Sequence, residues 1–351
     1  MQTFIPEVIQ AHFDEASYLF SEFMVEVNSA NPNKQYLKNV NARLAAHLDG
    51  LVVNLQAAWS ICEGTLSNED LGEGEASEFF VASYLAFLSN ELEKVKPVVE
   101  TAETHASLLN AVSYGLAWHP WQQSGFWATK FVASGRPAIA TIGLFCHQTY
   151  KQPAPITTAS LLGQSLEKDI ESVIPSTLLM AEKTQDVSVL PLLHSYQSEE
   201  LSLTHLQVLE TRIKLGDSGA LEKLKLFVMS DNNFRERALS VAFSLLEPEE
   251  SKLWIAELKN TEQADRLILL AIGAMKEKTL LPWVVKQMHI PETARIAGKV
   301  FSQITGYELR KHGWVITDGS MDKFWLELDG DEDLDWPDVH KIEQAAKQII
   351  N

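Results

Sequence analysis

Cysteine is almost missing from this chain: Cys62 and Cys146 are the whole complement. Two thiols cannot staple a disulfide scaffold or fill a four-cysteine zinc ribbon. Glycine (17) and proline (13) are sparse across 351 residues, which excludes collagen-like and low-complexity chains. Basic charge is short as well, with 29 Lys and Arg against 47 Asp and Glu and a formal net charge of −18. Nucleic-acid affinity comes largely from cations that neutralise phosphates, so no nucleic acid is expected as a partner. The longest apolar runs, Pro137–Cys146 and Leu267–Met275, fall well short of the ~20 residues of a membrane span, so no membrane is expected either. Met1–Glu7 has no basic stretch leading into an apolar one, as a secretory signal would. The expectation is a soluble, cytoplasmic protein, with no cofactor and no metal.

Hydrophobic residues make up 46% of the chain, enough for a sizeable core. Their spacing is helical. Ile5, Val8, Ile9, Phe13, Ala16, Phe20, Phe23 and Val27 recur at three- and four-residue steps. Asn31-Pro32-Asn33 breaks this pattern, and a second stripe runs from Leu37 through Leu44, Leu48 and Leu55 to Trp59. Helices are then predicted over 76–95 and 97–116, with a turn at Trp118-His119-Pro120-Trp121. Further on the pattern repeats. Leu209, Ala238, Leu267 and Ile296 are 29 apart, as are Ile213, Ala242, Ala271 and Val300. Leu226, Ile255 and Val284, and beside them Phe227, Ala256 and Val285, supply a second set at the same spacing. Two apolar helices per period of about 29 is the pattern of stacked helical hairpins. Gly313–Thr317 and Lys323–Leu328 have extended character, and a helix over Pro337–Ile350 closes the chain.

The expected fold is therefore all-α: an N-terminal helical domain (1–120), a HEAT-like α-solenoid (121–306) and a short mixed acidic C-terminal cap (307–351).

No motif carries a reaction. Asp329, Asp331 and Asp333 alternate as in a calcium loop, but Leu334 and His340 stand where its glycine and bidentate glutamate belong. Asp329, Asp331, Glu332, Asp333, Asp335 and Trp336 read instead as an acidic surface for a basic partner. Gly72-Glu73-Gly74 lacks the third glycine of a dinucleotide fingerprint, and Gly163–Glu167 lacks the second glycine of a nucleophile elbow. Arg237, Arg266 and Arg295 are again 29 apart. Such a ladder either offers bidentate donors to a partner's carboxylates or stitches repeats together through Glu236, Asp265 and Glu292. Arg43, His47 and Asp49 form the richest polar cluster of the first domain. It reads as an acid–base group or, by preference, as a buried hydrogen-bonded network that sets a helix crossing.

Four segments stand out beside these: Arg43–Leu51, Leu116-Ala117-Trp118, Ser302–Gly306 and the acidic run ending Asp333-Leu334-Asp335-Trp336-Pro337-Asp338. Together they resemble an uncharacterised proteobacterial HEAT-repeat-like family often encoded near type VI secretion or polymorphic-toxin loci. The family carries no catalytic residues onto this chain, and it implies a bacterial cytoplasm and a role beside secreted effectors. Composition, repeats and resemblance converge on a non-catalytic protein-binding module whose partner is a basic effector or toxin domain. That partner would be met by an immunity protein or an effector adaptor. The alternatives are a hydrolase built on Arg43, His47 and Asp49, and a structural scaffold with several partners.

Overall fold

The computed structural model describes residues 5–28, 33–68, 75–103, 105–198, 200–316, 331 and 333–349. Among them the chain is all-helical, with nineteen α-helices, two short 3-10 turns and a single isolated antiparallel bridge, Val315 to Pro337. It divides into two compact units, Met1–Gln197 and Ser198–Asn351.

The first unit contains α1 (Pro6–Val27), α2 (Lys34–Val52), α3 (Leu55–Leu66), α4 (Ala76–Ser89), α5 (Leu92–Ala102), α6 (Ala106–Ala117), α7 (Trp121–Val132), α8 (Pro137–Thr149), α9 (Thr158–Glu167), α10 (Ile174–Thr184) and α11 (Leu190–Ser195). Pro6 opens α1, where its missing N–H costs nothing. Asn33 caps α2 by accepting from the Gln35 and Tyr36 amides. The second apolar stripe is two helices rather than one: α2 ends at Val52, and the Asn54 side chain caps α3 through the Ala57 amide.

Helix α4 is apolar on every side, which suits a central position. Phe79, Phe80, Val81, Ala82, Leu85 and Ala86 are fully buried, and α1, α3, α5 and α6 pack around them. Phe80 stacks on Phe20 at 3.9 Å between ring centres, and Trp118 meets both Phe80 and Phe23 edge-on. The 118–120 turn is pinned by the Tyr150 hydroxyl, which lies 2.9 Å from the Ala117 carbonyl and 2.7 Å from that of His119. Leu161, Val173 and Met180 of α9, α10 and their connection share this core. The boundary expected near residue 120 therefore falls inside the first unit, and the observed division lies at 197/198.

The second unit contains α12 (Leu203–Lys214), α13 (Gly219–Met229), α14 (Arg235–Phe243), α15 (Pro248–Leu258), α16 (Ala264–Met275), α17 (Leu281–Gln287), α18 (Pro291–Thr305) and α19 (Val339–Ile349). Helix α14 packs on α16 and α16 on α18, while α13, α15 and α17 each pair with a member of that row. Leu209, Ala238, Leu267 and Ile296 are all buried, as the 29-residue column requires. The partner helices follow a different period. Leu224, Trp254 and Val284 are buried at a spacing of 30, and so are Val228, Leu258 and Met288. Leu226 of the expected column is 57% exposed.

The end of α18 is covered by later residues. The Ile316 amide donates to the Trp336 carbonyl at 2.9 Å and the Asp338 amide to that of Trp314 at 2.8 Å. Leu309 and Ile342 are buried in the same core. Of the two extended segments, Val315 makes the isolated bridge, whereas Lys323–Leu328 lies outside the described residues.

Candidate functional site

The arginine ladder and the acidic run, two separate candidates in the sequence, meet each other. Arg237, Arg266 and Arg295 sit near the starts of α14, α16 and α18, where the 29-residue period aligns them on one edge of the row. Each first rung reaches back one helix. Arg237 grips Glu210 of α12 with two bonds, Nε to Oε1 at 2.8 Å and Nη2 to Oε2 at 2.5 Å. Arg266 donates from Nε to Glu236 of α14 at 2.8 Å. Its two terminal nitrogens clasp Asp331, with Nη2 to Oδ1 at 3.0 Å. The guanidinium of Arg295 lies 5.0 Å from the centre of the Trp336 ring. A little further along, Arg310 pairs with Asp335.

Burial separates these contacts in weight. Glu210 and Asp331 are each 6% exposed and Arg295 is 3% exposed, so their charges are largely withdrawn from water. Both Asp331 and Glu236 hold the Arg266 guanidinium in its protonated form and raise its pKa, against the opposing effect of burial. Arg310 and Asp335 are by contrast a surface pair, worth little to stability. Repeat stitching is realised, though through Glu210 and Glu236 rather than Asp265 or Glu292. Asp333 is exposed, and Asp329 and Glu332 lie outside the described residues. An open groove of about 560 Å³ runs beside this contact, lined by Arg295, Lys299, Arg310, Glu308, Asp333 and Asp335. Its cations and anions balance, so it does not select a ligand of one sign.

The Arg43, His47 and Asp49 cluster does not assemble. Arg43 is 61% exposed in its side chain and lies 3.6 Å from Glu15 of α1, while Asp49 is exposed. His47 faces His12 of α1, Nδ1 to Nδ1 at 3.1 Å. The cluster is thus a half-exposed seam between α1 and α2, and neither a buried network nor a convergent triad. His12 and Glu15 escaped the sequence reading, yet a signal for them exists. In an antiparallel helix pair, residues at similar distances from the two facing helix ends come together, and His12 lies 15 residues before Val27 while His47 lies 13 after Lys34.

No group of three or more metal-type ligands converges among the described residues. Burial pushes the Cys62 thiol up to about 12 and that of Cys146 to about 11, which keeps both protonated. No helix of the described residues is long and apolar enough to cross a membrane.

One amine of the first unit is unusual. Lys183 donates from Nζ to the Tyr114 hydroxyl and lies 5.0 Å from the centre of that ring. Burial of the amine lowers Lys183 to about 8, and burial raises Tyr114 to about 12. Below pH 8 both folded and unfolded chains carry the Lys183 charge, so the folded state bears its full desolvation cost. Between about pH 8 and 10 only the unfolded chain keeps that proton, and stability rises with pH. Above pH 10 the Tyr114 phenol ionises first in the unfolded chain and reverses the trend. Lys183→Met should therefore stabilise the protein by about 1 kcal/mol at pH 7.5, a figure discounted because the residue is exposed as a whole. Urea midpoints at pH 7.5 and 10 test this, since most of the gain should be lost at the higher pH. A gain of equal size at both values would refute the assignment.

Neither a family model, a curated protein nor a solved structure matches this chain. The site must be read from its own geometry.

Proposed function

We propose that this chain is a non-catalytic protein-binding module whose second unit is a short HEAT-like solenoid, and that its partner is a basic effector or toxin domain. The carrying observation is the row α14, α16, α18, in which helix pairs stack in chain order with their apolar columns in register. Stacks of that kind expose a long rigid surface suited to another polypeptide. The net charge of −18 favours a basic partner and would speed its approach. Asp331 and Asp335 already hold arginines of their own chain, so the C-terminal run is not the strongest surface for that partner. Helices α13 and α15 offer a better one. Leu226 (57% exposed) and Leu253 (65% exposed) stand on them as apolar anchors, and Lys225 ties the two helices together through Glu257 at 2.8 Å. Glu247 and Glu249 supply exposed acid at the start of α15.

The resemblance to proteins encoded near type VI secretion and polymorphic-toxin loci supports a bacterial, cytoplasmic setting and an immunity or adaptor role. Affinity capture with the full chain, followed by reconstitution with the purified partner, tests the reading. A single basic polypeptide should bind stoichiometrically, be released by salt and be lost with Leu226→Asp/Leu253→Asp. An immunity protein abolishes that partner's toxic activity in vitro, while an adaptor leaves it intact. Partners that are acidic, or whose binding ignores both salt and the double variant, would overturn the proposal.

A further inference from the structure

The seam between α1 and α2 brings two imidazoles into contact. His12 and His47 point their Nδ1 atoms at each other at 3.1 Å, with ring planes 65° apart. In a hydrogen bond between these nitrogens one of them donates, according to tautomer. The other presents a lone pair. The same arrangement suits a metal ion: two nitrogens held at 2.0–2.1 Å by one tetrahedral ion stand about 3.3 Å apart. Imidazole is a preferred ligand of zinc and its neighbours in the first transition row.

The surroundings fit. Both rings are half-buried, which leaves one side open to water. The nearby cation, Arg43, is faced by the Glu15 carboxylate at 3.6 Å, which offsets its charge toward an incoming ion. Gly50, one turn beyond His47 on α2, gives the His12 ring its room. A Cβ there would lie 2.8 Å from Nδ1 and 2.7 Å from Cε1 and Nε2 of His12. Gly50 is otherwise an ordinary helical residue, where alanine would be preferred.

We propose that His12 and His47 form a binding site for a divalent transition-metal ion of the zinc class, with water completing the tetrahedral shell. The ion clamps α1 to α2 through one Nδ1 from each helix. Two protein ligands and an exposed face make it a regulatory or structural clamp of moderate affinity rather than a closed structural centre.

The test is calorimetric titration of ZnCl2 into the tag-free, chelator-treated full chain. One stoichiometric zinc step is expected. His12→Gln and His47→Gln should each weaken it by about tenfold or more. Gly50→Ala should do the same although it keeps both imidazoles, because its methyl displaces the His12 ring, and helical circular dichroism should stay unchanged. That variant separates a built site from scattered histidine binding. No zinc step up to about 1 mM, as a simple hydrogen-bonded imidazole pair would give, would overturn the proposal. So would a step that survives in His47→Gln or in Gly50→Ala with its affinity intact.

Discussion

Gly143→Ala is expected to destabilise the first unit by about 3 kcal/mol, a large effect for one added methyl group. Gly143 is where α8 crosses α7. A Cβ at this position would stand 2.5 Å from the Ala128 carbonyl oxygen and 2.8 Å from the Val132 amide nitrogen. Both are backbone atoms of α7, so no side-chain rotation relieves the contact, and the helices must separate. Separation would loosen Ala128, Phe131 and Val132 from Ala140 and Leu144, all buried in the same core. In a unit of this size each kcal/mol moves the melting temperature by about 2–4 °C, so a drop of about 6–12 °C is expected. Gly64 provides the control. It is an exposed residue inside α3 whose Cβ would meet nothing within 4 Å. Gly64→Ala should therefore stabilise by about 0.5–1 kcal/mol through helix propensity alone. Thermal and urea unfolding of the two variants would show opposite signs. A Gly143→Ala protein as stable as the wild type would mean that α7 and α8 are not in backbone contact.

What was legible in the sequence follows from which contacts are periodic. The row helices bury residues at a constant spacing, so Leu209, Ala238, Leu267 and Ile296 could be read directly. The partner helices slip by one residue per repeat. Their inward column is Leu224, Trp254 and Val284, and a search locked to 29 picked Leu226 and Ala256, which face water. The step from row to partner helix lengthens from 15 residues (Leu209 to Leu224) to 16 (Ala238 to Trp254) and 17 (Leu267 to Val284), which hides it from a fixed-period comparison; the last connection includes a 3-10 turn at Lys278–Leu280. That turn parallels Val187–Val189 before α11, and each turn leads into a helix that opens on a Leu-Pro pair, Leu190-Pro191 in one and Leu281-Pro282 in the other. In both, an acidic side chain caps the turn: Asp186 through the Ser188 amide and Glu277 through that of Thr279. The boundary at 197/198 was harder to see, because α7 to α10 continue a core begun by α1, and no change of composition marks continuity of packing.

The candidate site was half legible. Arg237, Arg266 and Arg295 were visible as a ladder, and the acidic run as a cluster of charge. Their mutual contact was not, because Asp331 lies 65 residues beyond Arg266 and only the fold brings them together. Local pairing rules pointed instead to Asp265 and Glu292, which sit on the same helices as the arginines. Those rules fail here because an arginine near a helix start points along the edge of the row, toward the preceding helix and the covering segment.

Arg266→Ala should accordingly be the most damaging single change in the second unit. It would strip Asp331 of its clasping guanidinium while leaving the carboxylate 6% exposed, and it would free Glu236 as well. Removing one partner of a buried pair typically costs 3–5 kcal/mol; with Arg266 itself about a fifth exposed, a loss of about 3 kcal/mol is expected. Asp331→Ala alone should cost less, because Arg266 keeps Glu236 and some access to water. The double variant should recover part of the Arg266→Ala loss, since the stranded charge disappears with Asp331, and that non-additivity is the signature of a direct contact. Arg310→Ala breaks an exposed pair and should leave the urea midpoint unchanged. Unfolding followed by tryptophan fluorescence reports on the same contact, because Trp336 sits against Arg295 one rung away. Strictly additive losses for Arg266→Ala and Asp331→Ala would show that the acidic segment is not fastened to the ladder, and the cover over α18 would then rest on Leu309, Ile342 and the backbone bridge alone.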